Sequence, residues 1–145
     1  MIIDELQGTF SDGQAITATA ISTNVIQLNE AGTVTGESGQ MKRNLGAGHR
    51  VPLLIQATET FAGGTSVTIT LETADNAALS SGATVLASSG AIPIASLVAG
   101  YRHSFTNVLP DGTNQDFLGV RYTVVGTPTA GKITAAFTMG VDSNG

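Results

Sequence analysis

The chain has 145 residues, a net charge of −5 and no cysteine, which excludes a disulfide framework, a thiolate zinc site and a thiol nucleophile. Six Lys and Arg against eleven Asp and Glu leave little from which to build the basic face of a nucleic-acid binder. Only 12% of residues are charged and mean hydropathy is +0.21, which suits a surface covered by partners, although composition alone fits an ordinary Ala- and Gly-rich domain better.

The length predicts one domain able to build a core without metal or disulfide. The opening "MIIDELQGTF" carries Asp4 and Glu5 where a secretory leader would be basic, so no leader is expected. No apolar run reaches the roughly 18 residues of a membrane span. "TFSDGQAITATAISTNVIQL" (9–28) is small, hydroxyl-rich β sequence, with strands expected near 14–21 and 23–28. Residues 30–50 then break the rhythm: few apolar residues, many glycines, His49, and three of the six basic residues, Lys42, Arg43 and Arg50. A connection that long reads either as an arm for an acidic or carbonyl-rich neighbour or as a solvated loop.

"VPLLIQAT" (51–58) is a continuous apolar run and predicts a strand buried on both faces. "SVTITLET" (66–73) alternates, with Val67, Ile69 and Leu71 to one side and Ser66, Thr68, Thr70 and Glu72 to the wet side. "ADNAALSSGATVL" and "IASLVAG" (94–100) could each hold one helical turn around a short strand at 84–89. "YRHSFTNV" (101–108) groups Tyr101, His103 and Phe105 on one face. "FLGVRYTVV" (117–125) groups Leu118, Val120, Tyr122 and Val124, and "KITAAFTMGV" (132–141) groups Ile133, Ala135, Phe137, Met139 and Val141. About eight short strands with Gly-, Asp- and Pro-rich turns predict an all-β jelly roll, an antiparallel β-sandwich.

Chemistry-bearing motifs are weak. "GTPTAGK" (126–132) has phosphate-loop spacing, but a strand pattern follows it, Pro128 interrupts it, and Ile133 stands where Ser or Thr should hold magnesium; it reads as a loop between two antiparallel strands. "PDGTNQD" (110–116) offers the oxygens of Asp111, Asn114 and Asp116, yet lacks calcium-loop spacing and reads as a turn. His103 is expected to pack, and no nucleophile elbow accompanies either histidine. Neither an enzyme nor a metal or cofactor site is expected. A carbohydrate-binding jelly roll is the alternative; such sites use exposed aromatic platforms, and of this chain's aromatic residues only Phe10 and Phe61 fall outside the expected buried faces.

"FSDGQAITATAISTNVIQL", "FAGGTSVTITLETADN", "VLASSGAIPIASLVAGYR" and "FLGVRYTVVGTPTAGKITAAF" resemble, in order, the consecutive blocks of a bacteriophage capsid cement (decoration) protein family, of the type found on a short-tailed Bordetella phage. Residues 30–41 stand as an insertion before the matching "LGAG" turn at 45–48. The resemblance implies a jelly-roll subunit on the outer surface of the virion, assembled in the bacterial host cytoplasm. It would bind the phage major capsid protein and bridge neighbouring capsomers as a symmetric homo-oligomer, a dimer first and a trimer next. No nucleic acid or membrane partner is implied. The contacts expected are the N-terminal Ile2, Ile3, Leu6 and Phe10, and the loop cations Lys42, Arg43 and Arg50. The alternative, a carbohydrate-binding module assisting virion adhesion, is compatible with the same location.

Overall fold

Period-two alternation becomes strand almost throughout the computed structural model, which describes residues 8–28, 35–38, 52–105 and 115–138. Nine strands lie among these residues: β1 (Thr9–Ala15), β2 (Ala20–Ile21), β3 (Ile26–Gln27), β4 (Leu53–Gly63), β5 (Ser66–Ala74), β6 (Thr84–Pro93), β7 (Arg102–Phe105), β8 (Phe117–Val125) and β9 (Pro128–Phe137). They form two antiparallel sheets, ordered β1-β9-β4-β7 and β2-β8-β5-β6, with β3 also paired to β8. Because β2 meets β8 at Tyr122 and β3 meets it at Leu118, the two are halves of one broken strand. Counted so, eight strand positions lie in the orders 1-8-3-6 and 2-7-4-5. Every connection but the β5–β6 hairpin crosses between sheets, which is the winding of a jelly roll.

The expected faces are the buried ones. Val67, Ile69 and Leu71 of β5, Leu118, Val120 and Tyr122 of β8, and Ile133, Ala135 and Phe137 of β9 meet between the sheets. Met139 and Val141 lie outside the described residues. Several expectations change. β4 is not buried on both faces: Leu53, Ile55 and Ala57 point inward and their neighbours are half-exposed, because β4 is an antiparallel sheet member with one open side. β6 runs to Pro93, beyond the expected 84–89; two register shifts along its pairing with β5 break the alternation that would reveal it. A short 3-10 turn, Ile94–Ser96, replaces the helical turn expected at 94–100, and no helix forms in 75–83.

The hydroxyl-rich sequence has a backbone purpose. A strand amide that loses its ladder partner at a break or bulge must find another acceptor. Ser22 Oγ accepts from Val120 N at 3.1 Å, Thr19 Oγ1 from Val124 N at 3.0 Å, Thr134 Oγ1 from Gly13 N at 2.9 Å, and Ser89 Oγ from Ile69 N at 3.0 Å. Thr60 Oγ1 does the same for Ala99 N at 2.9 Å, outside the sheets. A second hydroxyl network ties the sheets together. Ser11 Oγ donates to Gln14 Oε1, so the Tyr122 phenol, 2.7 Å from the same oxygen, is the donor to it. Gln14 in turn holds Thr23 N and Ile21 O. Burial pushes the Tyr122 phenol well above its ordinary range, with Ser11 opposing that rise. The phenol therefore stays a neutral donor.

The described sandwich starts and finishes at one corner. Phe137 N donates to Gly8 O at 2.7 Å, and Thr138 N donates to Pro52 O at 2.9 Å.

Candidate functional site

Of the seven contact residues expected from sequence, six lie outside the described residues: Ile2, Ile3, Leu6, Lys42, Arg43 and Arg50. The seventh, Phe10, is corrected: it is fully buried. It faces inward from β1, with its ring edge-on to Phe137 at 5.1 Å, so it is core rather than an exposed contact. Phe61 is also buried, and its ring lies over Gly131. That contact explains "GTPTAGK". Only Gly126 and Thr127 are turn, and the rest is strand β9, in the opposite sheet from β8, so the two strands it joins are not paired with each other. Asp111 and Asn114 lie outside the described residues. Among the described residues no three His, Cys, Asp or Glu side chains gather as metal ligands.

His103 packs as expected. It sits opposite Ile55 in the β4–β7 pairing, and its ring is edge-on to Phe105 at 4.8 Å. Burial lowers its pKa, because the charged ring loses solvation there. The folded protein therefore disfavours protonation while the unfolded chain takes a proton near its ordinary value of about 6.5. Stability is complete above that pH and falls as pH drops through it. Replacing His103 with Gln should flatten the acid limb of a melting-temperature profile between neutral and mildly acidic pH; an unchanged slope would assign the acid loss to other groups.

The most built region outside the core is the outer face of the β2-β8-β5-β6 sheet. Glu72, expected on the wet side of β5, is 5% exposed there, and Ala74 is buried beside it. The β5–β6 connection, residues 75–83, folds back as a strap over this end of the face. Asn76 organises the strap: its side-chain oxygen accepts from Ser80 N and Ser81 N, a pattern that Asn makes readily in turns. Leu79, with φ of +50°, drops its side chain onto Gly119, whose lack of a side chain makes the room: a Cβ built there would lie 2.7 Å from Leu79 Cδ1. Arg121 closes the arrangement. Its Nε donates to Glu72 Oε2 at 2.9 Å and its Nη2 donates to the Leu79 carbonyl, while Thr70 Oγ1 donates to the other Glu72 oxygen at 2.8 Å. Gln115 bonds both Thr73 and Gly82 from the far side. Sequence patterning misses this cluster, because its parts are joined only by the β5–β8 register, which sets Glu72 opposite Gly119 and Thr70 opposite Arg121.

Beyond the strap the same face is open and small. Its rows read Val125–Ser66–Pro93, Thr123–Thr68–Ala91 and Arg121–Thr70–Ser88 across β8, β5 and β6. The other sheet carries the exposed Glu59–Lys132 pair at 3.1 Å, which holds the Glu59 carboxyl below its ordinary value, chiefly through the Lys132 hydrogen bond. None of the seven aromatic rings, all of which are described, is exposed. The arrangement offers hydroxyl-bearing contact area and a strap held by Asn76, Gln115 and Arg121.

No curated protein matches the chain in sequence. A family model described as Bbp16 matches residues 10–137, from Phe10 in β1 to Phe137 at the end of β9. With the jelly-roll winding of those same strands, that match carries the conclusion that the chain belongs to the Bbp16 family, a Bordetella phage family of structural, virion-associated proteins.

Proposed function

We propose that the chain is a capsid cement protein. It binds the outside of the major capsid shell, bridges neighbouring capsomers as a homo-oligomer and stabilises the mature capsid. The observation that carries this reading is the family match, which spans the sandwich from its first strand to its last. The physical character of the chain supports it. A cement protein works by buried area rather than by chemistry, and this one has a double sheet in which Ser22, Thr19, Thr134 and Ser89 hydroxyls take up four strand amides. Preference for the expanded shell over its precursor stabilises the mature form by mass action. The carbohydrate-binding alternative draws less support, since Phe10 and Phe61, the rings that could have formed a platform, are both buried.

Quantitative mass spectrometry of purified virions tests the reading. Cement is expected at about one copy per shell subunit, because symmetric coverage demands matched numbers. A few tens of copies per particle would move the chain to a tail or vertex, and its absence from particles would end the proposal.

A further inference from the structure

Strand β1 contains an Asp-Gly link, Asp12–Gly13. It falls where the pairing with β9 loses register: Ser11 stands opposite Ala135 and Gln14 opposite Ile133, so two residues of β1 face the single Thr134. Gly13 takes up the extra residue with φ of +56°, and nothing lies within 4 Å of a Cβ built on it. Asp12 is exposed. The link is therefore open on its outer side, and the glycine has no side chain to crowd its nitrogen.

An aspartate followed by glycine can close on its own backbone. The Gly13 nitrogen attacks Cγ of the protonated Asp12 carboxyl. A C–N bond forms, the carboxyl OH and the amide proton leave together as water, and a cyclic imide results. Water then reopens the ring. Hydrolysis at Cγ restores aspartate, whereas hydrolysis at the main-chain carbonyl leaves isoaspartate, with the backbone rerouted through the former side chain and one carbon longer. One water is lost and one regained, so no other reagent is needed.

Attack requires a Gly13 nitrogen that is free to give up its proton and turn toward Cγ. In the fold it is held instead: Gly13 N donates to Thr134 Oγ1 at 2.9 Å, across the bulge. The neighbours on both sides give the link its importance. Ser11 receives the Tyr122 phenol and donates to Gln14, and Gln14 reaches Thr23 N and Ile21 O. One more backbone carbon between Ser11 and Gln14 would pull that network apart.

We propose that Asp12–Gly13 is a latent isoaspartate site, and that the Thr134 hydroxyl keeps it closed in the folded protein. Thr134 acts as a positioning residue, and the inference stands apart from the cement reading. Isomerisation at Asp12 then marks the chains in which β1 has come away from β9.

The test incubates the whole protein, folded and in denaturant, in water labelled with heavy oxygen. Peptide mapping scores label and isoaspartate at Asp12; label enters at every ring opening, whichever product forms. Asp111–Gly112, the chain's only other Asp-Gly link, is the chemical reference in the unfolded chain. Asp12 should label at a rate comparable to Asp111 when unfolded, and more slowly when folded. In the folded state Thr134→Val should speed labelling at Asp12 by about fivefold, the loss expected for one hydrogen bond, and Thr134→Ser, which keeps the hydroxyl, should not. Gly90→Ala, which loosens the fold elsewhere, should leave the Asp12 rate well below that of Thr134→Val. Thr134→Ala removes the hydroxyl without putting a methyl in its place and repeats the test if a thermal melt shows Thr134→Val unfolded. An unfolded chain that labels at Asp111 but not at Asp12 would overturn the inference, as would a folded wild type that labels Asp12 as fast as the unfolded chain. Equal rates in folded wild type and the hydroxyl-free variants, or an equal rise in Gly90→Ala, would also overturn it, by assigning the protection to the fold at large.

Discussion

Replacing Gly131 with alanine is expected to destabilise the fold by about 2–5 kcal/mol. Two effects add. Gly131 has φ of +137°, a conformation that side-chain-bearing residues rarely adopt, and a Cβ built there would lie 2.4 Å from the Phe61 ring. Phe61 is buried and cannot swing into solvent without vacating the core. Gly90 gives a lower bound on the conformational part, because nothing lies within 4 Å of a Cβ built there and its φ of +69° is in the left-handed region that L residues can enter, unlike +137°. Gly90→Ala should therefore show only that smaller conformational part, about 1 kcal/mol. Phe61→Leu should recover part of the Gly131→Ala loss, although it costs stability alone, since the two residues share one contact. Denaturant melts of the four proteins decide the matter. No recovery in the Phe61→Leu, Gly131→Ala double variant would mean that the ring moves aside freely and that the loss is conformational.

The second large effect is an asymmetry within one ion pair. Arg121→Ala is expected to cost about 2–4 kcal/mol, and Glu72→Gln about 1 kcal/mol. The Glu72 side chain is only 6% exposed, and without Arg121 it keeps just the Thr70 hydroxyl, so a carboxylate is stranded away from water. The Arg121 side chain is 27% exposed, which places its loss below that of a fully buried pair and lets it stay solvated when Glu72 is neutral. Arg121 also holds the Leu79 carbonyl, so its removal unlatches the strap before the core melts. Limited proteolysis should accordingly cut Arg121→Ala within residues 76–83 under conditions where the wild type and Glu72→Gln resist. Cutting at equal rates in all three would show that Asn76 and Gln115 hold the strap without help.

The strands legible in the sequence were those with one partner face and no interruption. β5 and β8 show their whole inner rows as alternating Val, Ile, Leu and Tyr, since their mutual pairing runs without a register shift from Ser66 to Ala74, whereas the central pair β4–β9 has three. The jelly-roll class was legible for the same reason. The broken positions were not. β1 starts five residues before the strand expected at 14–21, and β2 and β3 are two residues each, because Ser22 and Thr19 take over ladder bonds that a longer strand would make itself. Phe10 and Phe61 were misplaced because each precedes or ends a regular alternation; what buries them, Phe137 and Gly131, is more than 60 residues away in sequence. Glu72 read as solvent-facing, and its Cβ direction was right, but the strap that covers it depends on a glycine, an arginine and a leucine drawn together only by register. The expected contact residues other than Phe10 fall outside the described residues.

The meeting of Gly8 and Phe137 at one corner has a practical reach. Because a single backbone hydrogen bond spans the gap, a short linker could join the ends of the sandwich, and new ends could be opened in a surface turn such as Gly63–Gly64. Cargo fused before Gly8 or after Thr138 would emerge from the same point on every subunit. In any symmetric assembly of this chain, payloads fused there would share one orientation relative to their own subunit and repeat with the symmetry of the assembly.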